Sequence, residues 1–265
     1  MNLFFRSFRS SSAGNCLAFW TADSSILVDC GVQTLGDCRA IVHGQQDRHG
    51  PLDGVLVTHA HGDHLGGPAA RVLAEAGVVA YAHRDAVPQL RARLGKAGAD
   101  GRALRPFPGE RFTLGEFDVE AIRLPHAPGV ATFGFVLRVG HGSRRRKVVV
   151  CTDLHDASAV APHLEGADFV FVEANHDPEL LRRHPNPNSR YHLSNGKTAA
   201  LLCRAVEDGR CSPGRVVLGH LSERRNRDSL ATGEVEDAFA RRGLDMPFAL
   251  ETAPKFEPSR TIGIE

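Results

Sequence analysis

The sequence predicts an α/β protein built as a four-layer αββα sandwich, with a metal site at one edge of the sheets. Three observations carry this. Strand, hairpin and helix segments alternate in two halves of the 265 residues. An apolar run, Val55-Leu56-Val57, reads as a buried strand and delivers Thr58 and then His59, His61, Asp63 and His64. Gly62, Gly66 and Gly67 let the backbone turn sharply there, and a helix follows. Three imidazoles and a carboxylate so close together are nitrogen and oxygen ligands that suit Zn²⁺, Mn²⁺ or Fe²⁺. His59 and His61 can face one ion while Asp63 and His64 face another. A histidine-rich surface loop is the alternative, but it has no need of strand, cluster, glycine hinge and helix in that order.

Composition sets bounds. With 42% hydrophobic and 24% charged residues the chain is ordinary globular material. A net charge of +1 gives no global field that argues for nucleic acid or membrane, so any phosphate contact must be local. No apolar run approaches a membrane span, and Arg6 and Arg9 interrupt the N-terminal apolar run, which is not a secretory signal. Cys16, Cys30, Cys38, Cys151, Cys203 and Cys211 form no CxxC pair and read as free thiols of a reducing compartment. The expected location is the cytoplasm. Neither repeats nor low complexity nor a linker divides residues 1–265, which read as one domain.

HxHxDH after an apolar strand resembles the metal motif of the metallo-β-lactamase fold. A second pattern is more specific: F-x-S-x-x-S-S-S-x-G-N-C, starting at Phe5, then I-L-V-D-C-G ending at Gly31. It is similar to the start of the YycJ (WalJ)-type exonucleases within that fold. The resemblance implies five further site residues, which appear below where the chain reaches them.

Residues 3–8 read as a strand, residues 10–15 as a turn of small residues, and 16–20 with 25–29 as a hairpin. Asp29 ends that hairpin, either as a plain turn carboxylate or as an acceptor that orients a metal-bound histidine. Residues 35–43 read as a short helix, broken at Gly50-Pro51. After the metal strand, residues 68–76 have helical apolar spacing and stop at Gly77. Residues 78–81 form a strand, and Asp85 is placed to cap a helix running to Leu94. His83 reads as an ordinary polar residue, residues 95–105 as a loop, and 112–114 with 117–124 as a hairpin around Gly115.

The last of these strands ends at Leu124-Pro125-His126. By resemblance to the fold's third metal motif, His126 joins the ion of His59 and His61. The aspartate that often follows in the family is Ala127 here. Residues 132–139 and 147–151 are strands joined by a tip with four cations, residues 144–147, either a solvated turn or a phosphate contact. Asp153 follows the second strand and matches the fold's bridging aspartate, which keeps two ions about 3.5–4 Å apart; Leu154-His155 depart from the family's usual Thr-Gly. Residues 168–172 form a strand ending in Glu173-Ala174-Asn175-His176-Asp177, similar to the family's Glu-Ser-Asn-His-Asp. Glu173 and His176 read as a proton relay, as support for ligands, or as an ion pair at a strand end. Residues 185–188 form an irregular loop near the substrate.

Tyr191-His192-Leu193-Ser194-Asn195 resembles the family's Gly-His-Leu-Ser-Asn and leads into a helix over residues 196–207. Ser194 suits an N-cap, and the helix start beside His192 is a ready phosphate site. Residues 215–218 form a strand, and His220 matches the fold's last ligand, completing the site of Asp63 and His64. A helix over 229–241 and one or two short strands from Phe248 finish the chain.

The resemblance thus implies two divalent ions (Zn, Mn or Fe) held by His59, His61, Asp63, His64, His126, Asp153 and His220. Asp63 also counts among the catalytic residues. The pair would lower the pKa of a shared water, and a positioned acid, His192 first and His176 second, would protonate the leaving oxygen. The implied activity is a 5′-to-3′ single-strand DNA exonuclease, with a place in DNA repair. The same ligands also suit a thioesterase, a cyclic phosphodiesterase or a tRNA-processing RNase Z-like enzyme. A non-catalytic protein like the pyrroloquinoline-quinone accessory proteins is a further alternative, against which the full ligand set argues.

Overall fold

The computed structural model of the chain describes residues 2–99, 101–209 and 211–265. Six strands of the first half build one sheet: β1 (Leu3–Ser11), β2 (Gly14–Trp20), β3 (Ser25–Val28), β4 (Gly54–Val57), β5 (Ala80–Ala82) and β6 (Leu104–Pro106). The first three are antiparallel; β3 to β6 are parallel. Parallel neighbours need crossovers, and three helices supply them: α1 (Leu35–His49), α2 (Gly67–Glu75) and α3 (Val87–Lys96). The second sheet begins antiparallel with β7 (Arg111–Leu114), β8 (Phe117–Leu124), β9 (Thr132–Val139) and β10 (Arg146–Cys151). It turns parallel with β11 (Phe169–Glu173), β12 (Arg215–Gly219) and β13 (Ala249–Thr252). Helices α4 (Pro178–Arg183), α5 (Asn195–Glu207) and α6 (Asp228–Arg241) lie in its crossovers. The last strand, β14 (Ile262–Ile264), returns to the first sheet beside β1.

The two sheets share a dry interior. Leu3, Phe5, Phe19, Ile26 and Leu56 of the first meet Phe117, Phe135, Leu137, Phe169 and Phe171 of the second. Phe5 is the hub, with ring centroids 4.8 Å from Phe169 and 5.9 Å from Phe171. Each such side chain removed from water stabilises by about 1.5–3 kcal/mol. The opposite face of each sheet carries its own apolar cluster, one under α1 to α3 and one under α5 and α6. The result is the four-layer αββα arrangement that the alternation of segments predicted.

Several boundaries differ from the sequence reading. The strand read over 3–8 runs on to Ser11, and only Ser12 and Ala13 turn. A bulge between Ser7 and Arg9 reverses which face the later residues present, so Ser10 reaches the second sheet. Helix α1 continues to His49, six residues beyond the expected end. Asp85 caps nothing: it pairs with Arg123 at 2.8 Å, and α3 starts at Val87 after Ala86. His83 is buried, stacked on Phe133 with centroids 4.0 Å apart. A short strand, β6, sits in the stretch read as loop. The six cysteines are free and buried. No helix among the described residues is long and apolar enough to cross a membrane.

The strand ends that carry chemistry are locked by close backbone approach. Gly31 follows Asp29-Cys30, and its own N–H donates to the Asn15 carbonyl at 2.8 Å. A Cβ on Gly31 would collide with the carbonyl of Asp63. Gly31→Ala is therefore expected to cost at least about 3 kcal/mol, since backbone on both sides must give way. Urea unfolding followed by circular dichroism measures this.

Candidate metal centre

The centre forms where β3, β4, β8, β10, β11 and β12 all end on the same side of the molecule. Three of the residues just past these ends have left-handed backbone: Asp29 (φ 59°), Asp153 (φ 61°) and His220 (φ 52°). They are the three described non-glycine residues with positive φ, a conformation that costs energy and persists where the surroundings fix it. His220 is held by Ser10, whose hydroxyl accepts the His220 backbone N–H at 2.7 Å. Gly219 before it packs so tightly on Phe171 and Ser10 that a Cβ would overlap both.

The structure brings together His59, His61, Asp63, His64, His126, Asp153 and His220. His59, His61 and His126 form one group, and Asp63, His64 and His220 another, each with potential ligand atoms within 4.8 Å of one another. His59 Nε2 and His61 Nδ1 lie 2.8 Å apart, close to the spacing of two nitrogens each about 2.0–2.1 Å from one ion. Asp153 lies between the groups, Oδ1 3.7 Å from His126 Nε2 and Oδ2 3.2 Å from His64 Nε2 and 3.8 Å from His220 Nε2. Asp63 Oδ2 is 3.5 Å from His64 Nε2 and 3.8 Å from His220 Nε2.

Fit to a cation is testable in the hydrogen bonding. Buried polar atoms are normally paired, yet Asp153 Oδ2 and His220 Nε2 are buried without a hydrogen-bond partner. Meanwhile the other ring nitrogens are anchored by the protein. The Nδ1–H of His64 donates to Asp29 at 2.7 Å. Asp29 also accepts the Thr58 N–H at 2.8 Å and its hydroxyl at 2.9 Å. The Thr58 oxygen in turn accepts from His59 Nδ1 at 3.0 Å. His126 Nδ1 donates to the Tyr191 carbonyl at 3.0 Å. Such outer contacts fix the tautomer of metal-binding histidines. The residues present therefore fit a pair of divalent cations.

Glu173 is fully buried and its oxygens accept four hydrogen bonds. Oε1 takes the Leu154 and Leu193 backbone N–H groups at 3.0 and 2.8 Å. Oε2 takes Nδ1–H of both His192 and His220 at 3.1 Å. Burial alone would raise its pKa, but His192 and His220 outweigh this and bring it down to about 2. For His220 burial also opposes the charged form, yet Asp153, Asp63 and Glu173 raise its pKa to about 10. Against the same opposition, Asp29, Asp63 and Asp153 push His64 up, and Glu173 and Asp153 push His192 up. Burial pushes His59, His61 and His126 down.

His192 lines a cavity of about 380 Å³ with His61, Asp63, His126, Asp153 and His220, a volume in the range of small-ligand sites. Asn186, Asn188 and Ser189, in or beside the loop expected near substrate, line it too. His176 is not among its lining residues. Its carbonyl accepts the Asn195 N–H, and its buried Nδ1 has no partner. Ser194 does cap α5, through the Lys197 N–H at 3.4 Å. At that helix start the N–H groups of Asn195, Lys197 and Thr198 bond within the protein, which weakens the expected phosphate site. The cationic tip stands at the far end of β9. That strand starts beside Thr58, and eight residues at about 3.3 Å each carry the chain roughly 26 Å away. There Arg145 pairs with Asp118 at 3.0 Å and the Lys147 ammonium bonds the Glu165 carbonyl.

A profile of the beta-lactamase superfamily domain matches residues 24–221. The chain belongs to this superfamily. Among superfamily relatives, it is 26% identical to the exodeoxyribonuclease YycJ of Bacillus anthracis, over 96% of this chain and 97% of that one. To the exodeoxyribonuclease WalJ of Streptococcus pneumoniae it is 27% identical, over 84% and 82%. Two solved structures share the fold with a TM-score of 0.69. The metallo-beta-lactamase fold protein YhfI of Bacillus subtilis is 18% identical, covering 99% of this chain and 100% of that chain. Yeast PDE1 is 14% identical, covering 97% and 99%. The superfamily, its metallo-β-lactamase fold and the histidine–carboxylate cluster support a metal-dependent hydrolase with divalent metal cofactors.

Sequence reading missed Ser10, Asn15 and Thr58 as positioning residues. The Asn15 side chain donates to the Ser11 and Asp63 carbonyls at 3.0 and 3.2 Å and so ties the β1–β2 turn to the metal loop. The serine–glycine–asparagine run was visible, but its target lies 48 residues on. Glu173→Gln should weaken metal binding 10- to 100-fold, because it removes the carboxylate charge that orients His220. Competition with a chromogenic chelator measures this; unchanged affinity would show that Glu173 does not act through the metal site.

Proposed function

We propose that the chain is a dinuclear metal-dependent phosphodiesterase that removes nucleotides from the 5′ end of single-stranded DNA. The observation that carries the two-metal reading is Asp153, a buried carboxylate between two ligand groups with one oxygen toward each. The activity in the names of the YycJ and WalJ relatives, which align with most of this chain, supports DNA as substrate. The polarity and a place in DNA repair rest on the family resemblance alone, and a cytoplasmic location on the unpaired cysteines and the interrupted N-terminal apolar run. The core shared by the two sheets supports reading residues 1–265 as one domain.

His59, His61 and His126 would hold one ion; Asp63, His64 and His220 would hold the other, with Asp153 common to both. Two such ions supply Lewis acidity and a nucleophile from water near neutral pH. The protein does the rest. Glu173 holds Nδ1 of His192, which leaves Nε2 as the nitrogen that delivers a proton to the departing oxygen. Arg225 lines the same cavity, and its Nε–H is tied to the His184 carbonyl at 2.6 Å. Its remaining N–H groups are available to a phosphate. Tyr191, in place of the family's glycine, contributes its carbonyl to His126 and its ring to the cavity wall.

The decisive assay uses Mn²⁺- or Zn²⁺-loaded protein on 5′- and 3′-labelled single-stranded DNA, beside the Asp63→Ala, His64→Ala double variant. Stepwise loss of nucleotides from the 5′ end, absent in the variant, is expected. No cleavage at full metal occupancy would sink the reading. His192→Gln should lower kcat about 10²- to 10⁴-fold with metal content near that of the parent protein. His176→Gln, outside the cavity, should cost far less.

A further inference from the structure

A second cavity, of about 420 Å³, lies along α5 beside the segment that follows Asp153. One side of it, starting at His155, follows Asp153 of the metal centre by two residues and is tied to that centre by backbone hydrogen bonds. The Leu154 N–H is held by Glu173, and the His155 N–H by the carbonyl of Pro125, the residue before His126. Ala157, Ala161, Ala200 and Leu201 give it an apolar floor. Lys197 and Arg204 line it two helical turns apart, about 10 Å along the axis.

Charge distinguishes these two side chains from neighbouring cations. On the adjoining surface Arg241 pairs with Glu234 and Arg242 with Glu207, each at 2.9 Å. Among the described residues no carboxylate pairs with Arg204, and the Lys197 ammonium has only the His155 carbonyl, at 3.1 Å. One carboxylate, Asp156, faces the same groove within electrostatic range of Lys197, while it accepts the Ser158 backbone N–H at 2.9 Å. An apolar floor between two unpaired cations suits a nucleotide: phosphates at the ends, sugar or base between. It also offers a place to meet phosphate charge that the remote residue 144–147 tip does not.

We propose that this groove holds the single strand beyond the nucleotide being cut, with successive phosphates on Lys197 and Arg204. The inference rests on the exonuclease reading. It predicts a preference for long strands over short ones that is a property of α5, separate from the metal centre.

The test compares the full-length Mn²⁺-loaded protein with its Lys197→Gln, Arg204→Gln variant on a thymidine 12-mer and a thymidine dinucleotide. The neutral side chains keep similar length and packing. KM for the 12-mer should rise about tenfold more than KM for the dinucleotide. The slope of log affinity against log salt should shrink by about 1.4, for two lost phosphate contacts on a single strand. Asp156→Asn should move 12-mer binding the other way. Equal losses on both substrates, or an unchanged 12-mer KM and salt slope, would overturn the groove. If the parent protein degrades no DNA, the exonuclease reading fails instead. The groove is then judged by fluorescence anisotropy of the labelled 12-mer, where equal affinity of parent and variant overturns it and a tenfold loss supports it.

Discussion

The constraint on which the centre depends is that its histidines, His61 apart, have a ring nitrogen taken by a fixed protein group. Asp29 takes one from His64, Thr58 one from His59, the Tyr191 carbonyl one from His126, and Glu173 one from His220 and one from His192. An imidazole anchored in this way presents its other nitrogen toward the centre and has little freedom to turn it. These nitrogens converge because the anchors come from different layers: Asp29 and Thr58 from the first sheet, Glu173 from the second. The site therefore exists only when the two sheets are stacked in register, and the shared phenylalanine core is what stacks them.

Strand ends are the natural place for such a cluster. A parallel strand delivers its last residue in a fixed position, and the turn after it is free to take unusual backbone. Asp29, Asp153 and His220 show the cost: each sits at positive φ within two residues of its strand's end. Aspartate tolerates this region better than most residues, and histidine less comfortably. His220 is accordingly the most supported, with Ser10 on its N–H, Asn175 on its carbonyl and Glu173 on its ring. The bulge between Ser7 and Arg9 of β1 is what turns Ser10 toward it.

Much of this was legible in the sequence, and the reason differs from element to element. The HxHxDH cluster, Glu173 and the strands around them announce themselves because apolar runs ending in titratable residues have few other uses. The strands of the second sheet were placed to within a residue or two, since buried strands are nearly all apolar. What periodicity could not reveal was direction in space. The bulge at Ser7–Arg9 leaves no mark on composition, so Ser10 and Asn15 read as turn residues. Helix α1 runs past His43 because its polar outer residues need only solvent, and a polar stretch looks like a loop. The same limitation made the cations at residues 144–147 a phosphate candidate. Sequence shows that they cluster; only the length of β9 shows that they cluster at the wrong end. Ser194 was rightly read as a cap, but the Asn195 amide is taken by the carbonyl of His176, earlier in the same crossover, a pairing that periodicity does not show.

The electrostatics of the centre follow from the same convergence. Asp29, Asp63, Asp153 and Glu173 bring four carboxylates into a region almost without solvent, an arrangement that is costly unless positive charge lies among them. Protein groups supply part of it. His64 and His220, the two imidazoles with carboxylate partners on both sides, are the ligands whose pKa values rise, whereas His59, His61 and His126 favour the neutral form. The split matches the chemistry of the two groups. One offers three neutral nitrogens; the other combines a carboxylate with two imidazoles that protons also seek. Competition between proton and cation is thus concentrated in the group of Asp63, His64 and His220. Glu173 links that competition to His192, since one oxygen of Glu173 accepts from both rings. Any change in charge at His220 is felt at His192 through a single shared atom, Oε2 of Glu173.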